Sequence, residues 1–386
     1  MKIIEREISR AIYKAIEYYS VICVTGPRQS GKSTLIKHMF NDYAVFSLED
    51  LDVRNYAEND PIGFLNQTGT GIILDEVQRV PSLFSYIQGI VDNNSKRKFI
   101  LSGSSNFQMM KTITQSLAGR VALFELLPMS YSEVANIYKD MSLDEILFNG
   151  LYPAICAKKN IPDMLYPFYV KTYLEKDVRD LLQVKGIMQF NNFLKLCAGR
   201  IGSVFNASQL ANEVGVTSNT ITSWLSILQT SYIVYLLPPY YDNFGKRLIK
   251  SPKLYFCDTG LACYLLNIES ISQLSRDKLK GSLFENFVVS EFIKHRLNQG
   301  KEPRLYFYRD SNQNEIDLLS LEEGELSAFE IKSSMTYNSV FEKTLKKTAS
   351  LIKQPISHKT VIYAGNMENT VSNIKLINYR HLFQWK

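Results

Sequence analysis

Residues 21–40 read VICVTGPRQSGKSTLIKHMF, and the order of residue types in this stretch decides the fold of the first third of the chain. The run Val21–Thr25 predicts a buried strand. Gly26 predicts a tight exit from it, and 34–40 a following helix. Gly26, Gly31, Lys32 and Ser33 keep the spacing of a loop that wraps a polyphosphate in backbone N–H groups, and the helix N-terminus adds its field. Pro27, Arg28, Gln29 and Ser30 fill the loop. Lys32 is placed to reach the β- and γ-phosphates and Ser33 to ligate Mg²⁺, with Thr34 next in the first helical turn. The stretch predicts a site for ATP with Mg²⁺.

A second apolar run, GIILDEVQ at 71–78, ends a strand on Asp75 with Glu76 directly after it. Beside a phosphate loop, Asp75 can hold Mg²⁺ through water, and Glu76 can polarise the attacking water. A third run, KFILSGSSN at 98–106, ends in small hydroxyl residues. Ligands of a doubly wound parallel sheet bind beyond the carboxyl ends of its strands. Ser102, Ser104, Ser105 and Asn106 are therefore candidates to touch the γ-phosphate or the lytic water, Ser104 foremost; an ordinary polar loop cap is the competing reading. Arg120 stands immediately before another strand, in SLAGRVALFELLPMSYSE at 116–133. It is a candidate to meet a γ-phosphate in its own or a neighbouring subunit, with a surface ion pair as the alternative.

The chain of 386 residues, 45% hydrophobic and 21% charged, has material for two or three packed domains. No run approaches the ~20 apolar residues of a membrane span, so no membrane partner is expected. The opening MKIIEREISRAIYKAIEYY mixes charges of both signs, which predicts an amphipathic helix and not a signal peptide. Cys23, Cys156, Cys197, Cys257 and Cys263 form no metal-type pair. They read as reduced core residues of a cytoplasmic protein. A net charge of +6 permits a nucleic-acid partner without demanding one.

These motifs carry a resemblance. With GPRQSGKST, IILDEVQ, SLAGRV and LPMSYSE go YLEKDVRDLL, YIVYLLPPYYDNFGKRLIKSPKLYFCDTGLACYLL, GSLFENFVVSEFIK, LYFYRDSNQNEIDLL and EIKSS, which together cover nearly the whole chain. The sequence resembles the AAA_14/DUF4143 family, bacterial and archaeal AAA-type ATPases that join an N-terminal P-loop domain to a C-terminal domain of uncharacterised function. The resemblance implies an additional-strand P-loop sheet, ATP binding and hydrolysis.

Residues 130–185 read as helices around GLYPAI, with a stripe of Tyr173, Leu174, Val178, Leu181 and Leu182. Further on, Ser208 can cap a helix ending at Gly215, and Thr217 or Ser218 opens a second that turns Ile221, Trp224, Leu225 and Leu228 inward. A hairpin over 232–256 completes a winged helix-turn-helix. The second helix carries no Lys or Arg, whereas the hairpin carries Lys246, Arg247, Lys250 and Lys253. Phosphate contact by the wing, through Lys246, Arg247 and Lys250, is thus favoured over base readout; a pure packing module is the alternative.

In the last third, Glu285 lies early in an amphipathic helix, GSLFENFVVSEFIKH. Asp317 lies on one predicted strand, and Glu330 and Lys332 share a face of the next. Asp317 and Glu330 can bind Mg²⁺ with the carbonyl of Ile331, and Lys332 can orient or deprotonate the attacking water. This order resembles the restriction-endonuclease-like PD-(D/E)XK family, with Glu285 matching its helix acid.

The expected architecture is α/β throughout: a P-loop AAA-type parallel sheet over 1–135, a helical lid or linker over 136–190, a winged helix over 191–265 and a nuclease-like α/β domain over 275–386. The leading functional expectation is an ATPase acting on nucleic acid, DNA foremost, with homo-oligomerisation. The competing one is a nucleotide-gated regulator whose last two domains bind a partner without cleavage.

Overall fold

The structure, a computed structural model, describes residues 3–67, 71–94, 96–103, 116–158, 161–174, 186–241 and 251–384. Its first sheet holds β1 (Val21–Thr25), β2 (Ala44–Ser47), β3 (Gly71–Asp75), β4 (Lys98–Ser102) and β5 (Val121–Glu125), in the order β2-β3-β4-β1-β5. Every pairing is parallel, with Val21 level with both Phe99 and Val121. All residues of β1 and β3 are buried, as a parallel sheet covered on both faces requires. Alternation along β1 sends Val21 and Cys23 to a core with Phe64, Phe84 and Ile87, and Ile22 and Val24 to another with Ile8, Ile12 and Ile36. Helices Leu51–Asn59, Pro61–Asn66 and Leu83–Asn93 supply the first core, and Ser9–Tyr18 and Lys32–Met39 the second. The carboxyl ends of β1, β3 and β4 thereby come together.

The middle of the chain is helical: Leu143–Asn149, Pro153–Lys158, Pro162–Tyr169 and Ile187–Ala198. Of the expected stripe, Val178, Leu181 and Leu182 and the side chains of Tyr173 and Leu174 lie outside the described residues. Helices Ala207–Val214 and Ser218–Thr230 meet at Gly215, whose φ of 78° suits glycine. The first is capped by Asn206, not Ser208: the Asn206 side chain accepts from the Gln209 amide. Of the two residues expected to open the second, Thr217 is its cap, accepting from the Thr220 amide. Trp224 packs edge-on against Phe190 with centroids 5.5 Å apart, and Ile221, Leu225 and Leu228 are buried beside it. Strands β6 (Val234–Leu237) and β7 (Lys253–Phe256) then pair antiparallel.

The last sheet holds β8 (Leu305–Arg309), β9 (Glu315–Glu322), β10 (Glu325–Lys332), β11 (Ile356–Tyr363), β12 (Asn369–Val371) and β13 (Ile374–Asn378), ordered β12-β13-β11-β10-β9-β8. β8, β9 and β10 form an antiparallel meander, and helix Ser339–Ala349 returns the chain to β11, parallel to β10. The continuation of β6 bonds the outer edge: the Tyr240 amide donates to the Phe307 carbonyl at 2.7 Å, and Phe307 to Pro238 at 3.1 Å.

Helix Lys280–Asn298 corrects an expectation. It is buried on most of its circumference, including Asn286, Ser290, Glu291 and Lys294, and is not amphipathic. Its surroundings explain this: Phe256 of β7, Phe329 of β10 and Tyr131 after the first sheet all meet it. Among the described residues no helix is long and apolar enough to cross a membrane.

Candidate functional site

The loop after β1 needs its glycines. Gly26 has φ 146°, and a Cβ there would sit 2.2 Å from the Leu126 carbonyl oxygen; Gly31 caps the following helix at φ 94°. Lys32 is buried and its ammonium donates to the carbonyls of Gly26 (3.0 Å) and Pro27 (2.8 Å). Burial pulls that ammonium down to about 8, against the opposing pull of Glu76 and Asp75. A bound phosphate chain would reverse the shift.

Asp75 collects two hydroxyls: Ser33 Oγ donates to it at 2.9 Å and Ser102 Oγ at 2.5 Å. Glu76 directly follows in the left-handed conformation, φ 56°, and accepts from Gln78 Nε2 at 2.5 Å. A non-glycine residue held there stores about 1–3 kcal/mol of strain. Ser33 and Asp75 form a hard-oxygen pair suited to Mg²⁺, and Ser30 Oγ is buried without a partner. The residues therefore fit a Mg²⁺-nucleotide. Arg28, Gln29 and Thr34 line an open cleft of about 1020 Å³ beside this loop, together with apolar groups such as Ile3, Met164 and Phe168. Ser104, Ser105 and Asn106 lie outside the described residues.

Arg120 is elsewhere. It donates to both oxygens of Asp92, at 2.5 and 2.9 Å, and precedes the amino end of β5. β5 runs parallel to β1, so Arg120 is separated from the phosphate loop by about 20 Å of strand. An intrachain encounter with a phosphate held by Lys32 is ruled out by that placement.

Sequence reasoning missed Arg6, which it counted only among the mixed charges of an amphipathic opening helix. This buried guanidinium donates to the Ser30 carbonyl at 2.9 Å, to the Leu127 carbonyl at 2.8 Å and to Glu133 at 3.0 Å. Its partners lie 24 to 127 residues away, beyond any local pattern.

The second site lies at the join between β7 and the last sheet. Lys332 Nζ stands 2.8 Å from Glu330 and 3.1 Å from Asp317, and Asp317 also accepts from the Ile331 amide at 2.8 Å. Glu285 accepts instead from Lys253 at 3.0 Å and Tyr255 at 2.5 Å. Burial and the neighbouring Asp317 push the Glu330 carboxyl up to about 8, although Lys332 opposes them. Burial likewise raises Glu285, against the pull of Lys253. Burial lowers the Lys332 ammonium, but Asp317 and Glu330 more than offset it and the group ends above its ordinary range. Glu330 Oε2 is buried with no partner, so the Asp317–Glu330 pair fits a cation. Among the described residues no three His, Cys, Asp or Glu side chains surround one metal position; Asp317 and Glu330 are a two-carboxylate arrangement. Lys253, grouped from sequence with the basic side chains of the hairpin, is almost wholly buried. Lys246, Arg247 and Lys250 lie outside the described residues.

Residues 18–135 match the family model of an AAA domain (AAA_14), 140–272 that of a domain of unknown function (DUF8612), and 280–382 that of a domain of unknown function (DUF4143). The chain thus joins an AAA domain of the AAA_14 type to a DUF4143 domain. An uncharacterized protein of Mycobacterium tuberculosis is 29% identical over 370 residues, covering 95% of this chain and 81% of its own. One from Methanocaldococcus jannaschii is 23% identical over 328 residues, covering 77% and 71%. Among solved structures, a Walker-type ATPase of Pyrococcus abyssi aligns with TM-score 0.47 at 14% identity, covering 68% of this chain and 96% of that one. A RuvB variant of Thermotoga maritima aligns with TM-score 0.32 at 16% identity, covering 60% and 88%. Within this AAA_14/DUF4143 chain, Gly26–Thr34, Asp75 and Glu76 fall in the AAA domain, and Glu285, Asp317, Glu330 and Lys332 in the DUF4143 domain.

Proposed function

We propose that this chain is a Mg²⁺-dependent ATPase whose nucleotide state governs a metal-binding phosphodiester site engaged with DNA. The carrying observation is Asp75, which receives the hydroxyls of Ser33 and Ser102 between Lys32 and Glu76. Lys32 leaves the loop carbonyls for the β- and γ-phosphates, and the N–H groups of Gly26 and 28–31 turn to the same oxygens, Pro27 having none to give. Ser33 and Asp75 would hold Mg²⁺, which would supply neutralisation of phosphate charge. Glu76 takes the proton of the attacking water. Lys32→Ala is expected to abolish nucleotide binding or turnover; full turnover in that variant contradicts the reading.

Helix Lys280–Asn298 supports coupling between the sites. It bears Glu285 near one end. Further along, the buried Lys294 donates to the Met129 carbonyl at 2.9 Å, and Glu291 accepts from the Tyr131 amide at 2.6 Å. Arg6 joins the adjacent Leu127 and Glu133 to the phosphate loop. Movement of that loop thus bears on the helix that carries Glu285.

The second part of the reading assigns Asp317 and Glu330 to Mg²⁺ and Lys332 to the pentavalent phosphate. Metal-dependent cleavage of structured and linear DNA, assayed with and without ATP, tests it. Asp317→Ala is expected to lower metal affinity, and Lys332→Ala to spare affinity and cost turnover. Cleavage that survives both Asp317→Ala and Glu330→Ala contradicts the assignment. DNA binding without cleavage under any metal condition favours a regulator that binds and does not cut.

A further inference from the structure

Four carboxylates and two lysines converge at the second site, and each lysine stands between two carboxylates. Lys332 bridges Asp317 and Glu330. Lys253 bridges Glu285 at 3.0 Å and Glu315 at 2.5 Å. The two lysines differ in freedom. A third of the Lys332 side chain is exposed, against 2% of Lys253. Lys332 can swing its ammonium into water and yield its place.

Lys253 cannot. It arrives on β7, outside the DUF4143 domain, and its ammonium lies 5.5 Å from the centre of the Phe307 ring. Tyr255, two residues along and therefore on the same face of β7, donates to the same Glu285 oxygen at 2.5 Å. Arg309 Nε stands 3.4 Å from the other oxygen of Glu315. Burial lowers the Lys253 ammonium, but Glu285, Asp317 and Glu315 more than offset it, and the group keeps its charge. Lys253 thus occupies the Glu285–Glu315 half, whereas the other half retains the buried, unpartnered Glu330 Oε2.

We propose that Lys253 is a built-in cation, supplied by the middle domain, that permanently fills the Glu285–Glu315 half of this cluster and confines exchangeable divalent-ion binding to the Asp317–Glu330 half. The inference rests on the reading of Asp317 and Glu330 as cation ligands. Its physical basis is repulsion: an ammonium and a divalent ion do not share a partly dehydrated position. Without the ammonium, two carboxylates face one gap, and side-chain exposures of 17% for Glu285 and 28% for Glu315 admit water and an ion. Hard oxygen ligands of this kind, completed by water, hold Mg²⁺ or Mn²⁺.

The test counts Mn²⁺ bound by the full chain, free of nucleotide, from the free-ion signal in electron paramagnetic resonance. Lys253→Met is expected to bind one Mn²⁺ per chain more than wild type. Lys253→Arg is expected to keep the wild-type count, and the triple variant Lys253→Met/Glu285→Gln/Glu315→Gln to return to it. An unchanged count in Lys253→Met overturns the proposal. Asp317→Ala reports separately on the underlying reading, because it should bind one Mn²⁺ fewer than wild type; no loss there contradicts that reading and leaves the Lys253 comparison interpretable. Thermal melting guards against a folding defect. Mn²⁺ should raise the melting temperature of Lys253→Met more than that of wild type, through binding to the folded state. A Lys253→Met chain that is unfolded with and without Mn²⁺ also overturns the proposal, since the ion then fails to replace the ammonium.

Discussion

Arg6 holds the carbonyl oxygen of Ser30, in the phosphate loop, at 2.9 Å. The same guanidinium pairs with the fully buried side chain of Glu133. Removing one partner of a buried pair strands the other charge, at a cost of about 3–5 kcal/mol. Arg6→Met is therefore expected to lose stability on that scale in chemical denaturation and to bind nucleotide more weakly. Unchanged stability and affinity contradict a role for Arg6 in setting the loop.

Arg120 can meet a nucleotide phosphate only from a neighbouring chain, given its place at the amino end of β5. If it does, turnover per chain climbs with protein concentration, and Arg120→Ala lowers turnover by about 10³-fold or more at nearly constant affinity. Concentration-independent turnover, with Arg120→Ala equal to wild type, assigns Arg120 to its ion pair with Asp92 alone.

The reach of the sequence differs between these residues for a physical reason. Asp75 ends a buried strand run and Ser33 opens the helix that follows another, where loop spacing and apolar flanks encode position locally, and they meet as expected. The far-end placement of Arg120 is also implicit in the sequence, because a residue before a parallel strand lies opposite the ligand edge. Arg6 and Lys253 are out of its reach. Their identity as buried groups depends on Glu133, Glu285 and Glu315, which tertiary packing alone brings near. Helix Lys280–Asn298 misleads in the same way, since its polar residues are satisfied by other domains and not by solvent.

Lys246, Arg247 and Lys250 are expected to bind DNA phosphates without reading sequence. Changed together to Gln, they should weaken binding about equally for all duplexes. The slope of log K against log salt should flatten by about 0.9 for each phosphate that is no longer neutralised. Weakening confined to one sequence contradicts this, as does an unchanged slope.

Glu330 predicts a pH dependence of stability. Its carboxyl titrates at about 8 in the folded chain, raised by burial and Asp317. The unfolded value is ~4.3, so the folded state binds the extra proton between the two. Stability from this group is whole below the unfolded value and is lost as pH rises through the folded one. The melting temperature should fall from about pH 5 to about pH 8, and Glu330→Gln should flatten that fall. Parallel curves for the two proteins contradict the shift.

Phosphate release from ATP with Mg²⁺, compared between wild type and Glu76→Gln at equal nucleotide saturation, probes the reading of the first site most directly. Wild type is expected to turn over, and Glu76→Gln to bind ATP with similar affinity while turnover drops by about 10²–10⁴-fold, the usual contribution of a positioned base. Equal turnover in the two proteins, or none in wild type at any concentration, contradicts the assignment of this chain as an ATPase acting through Glu76.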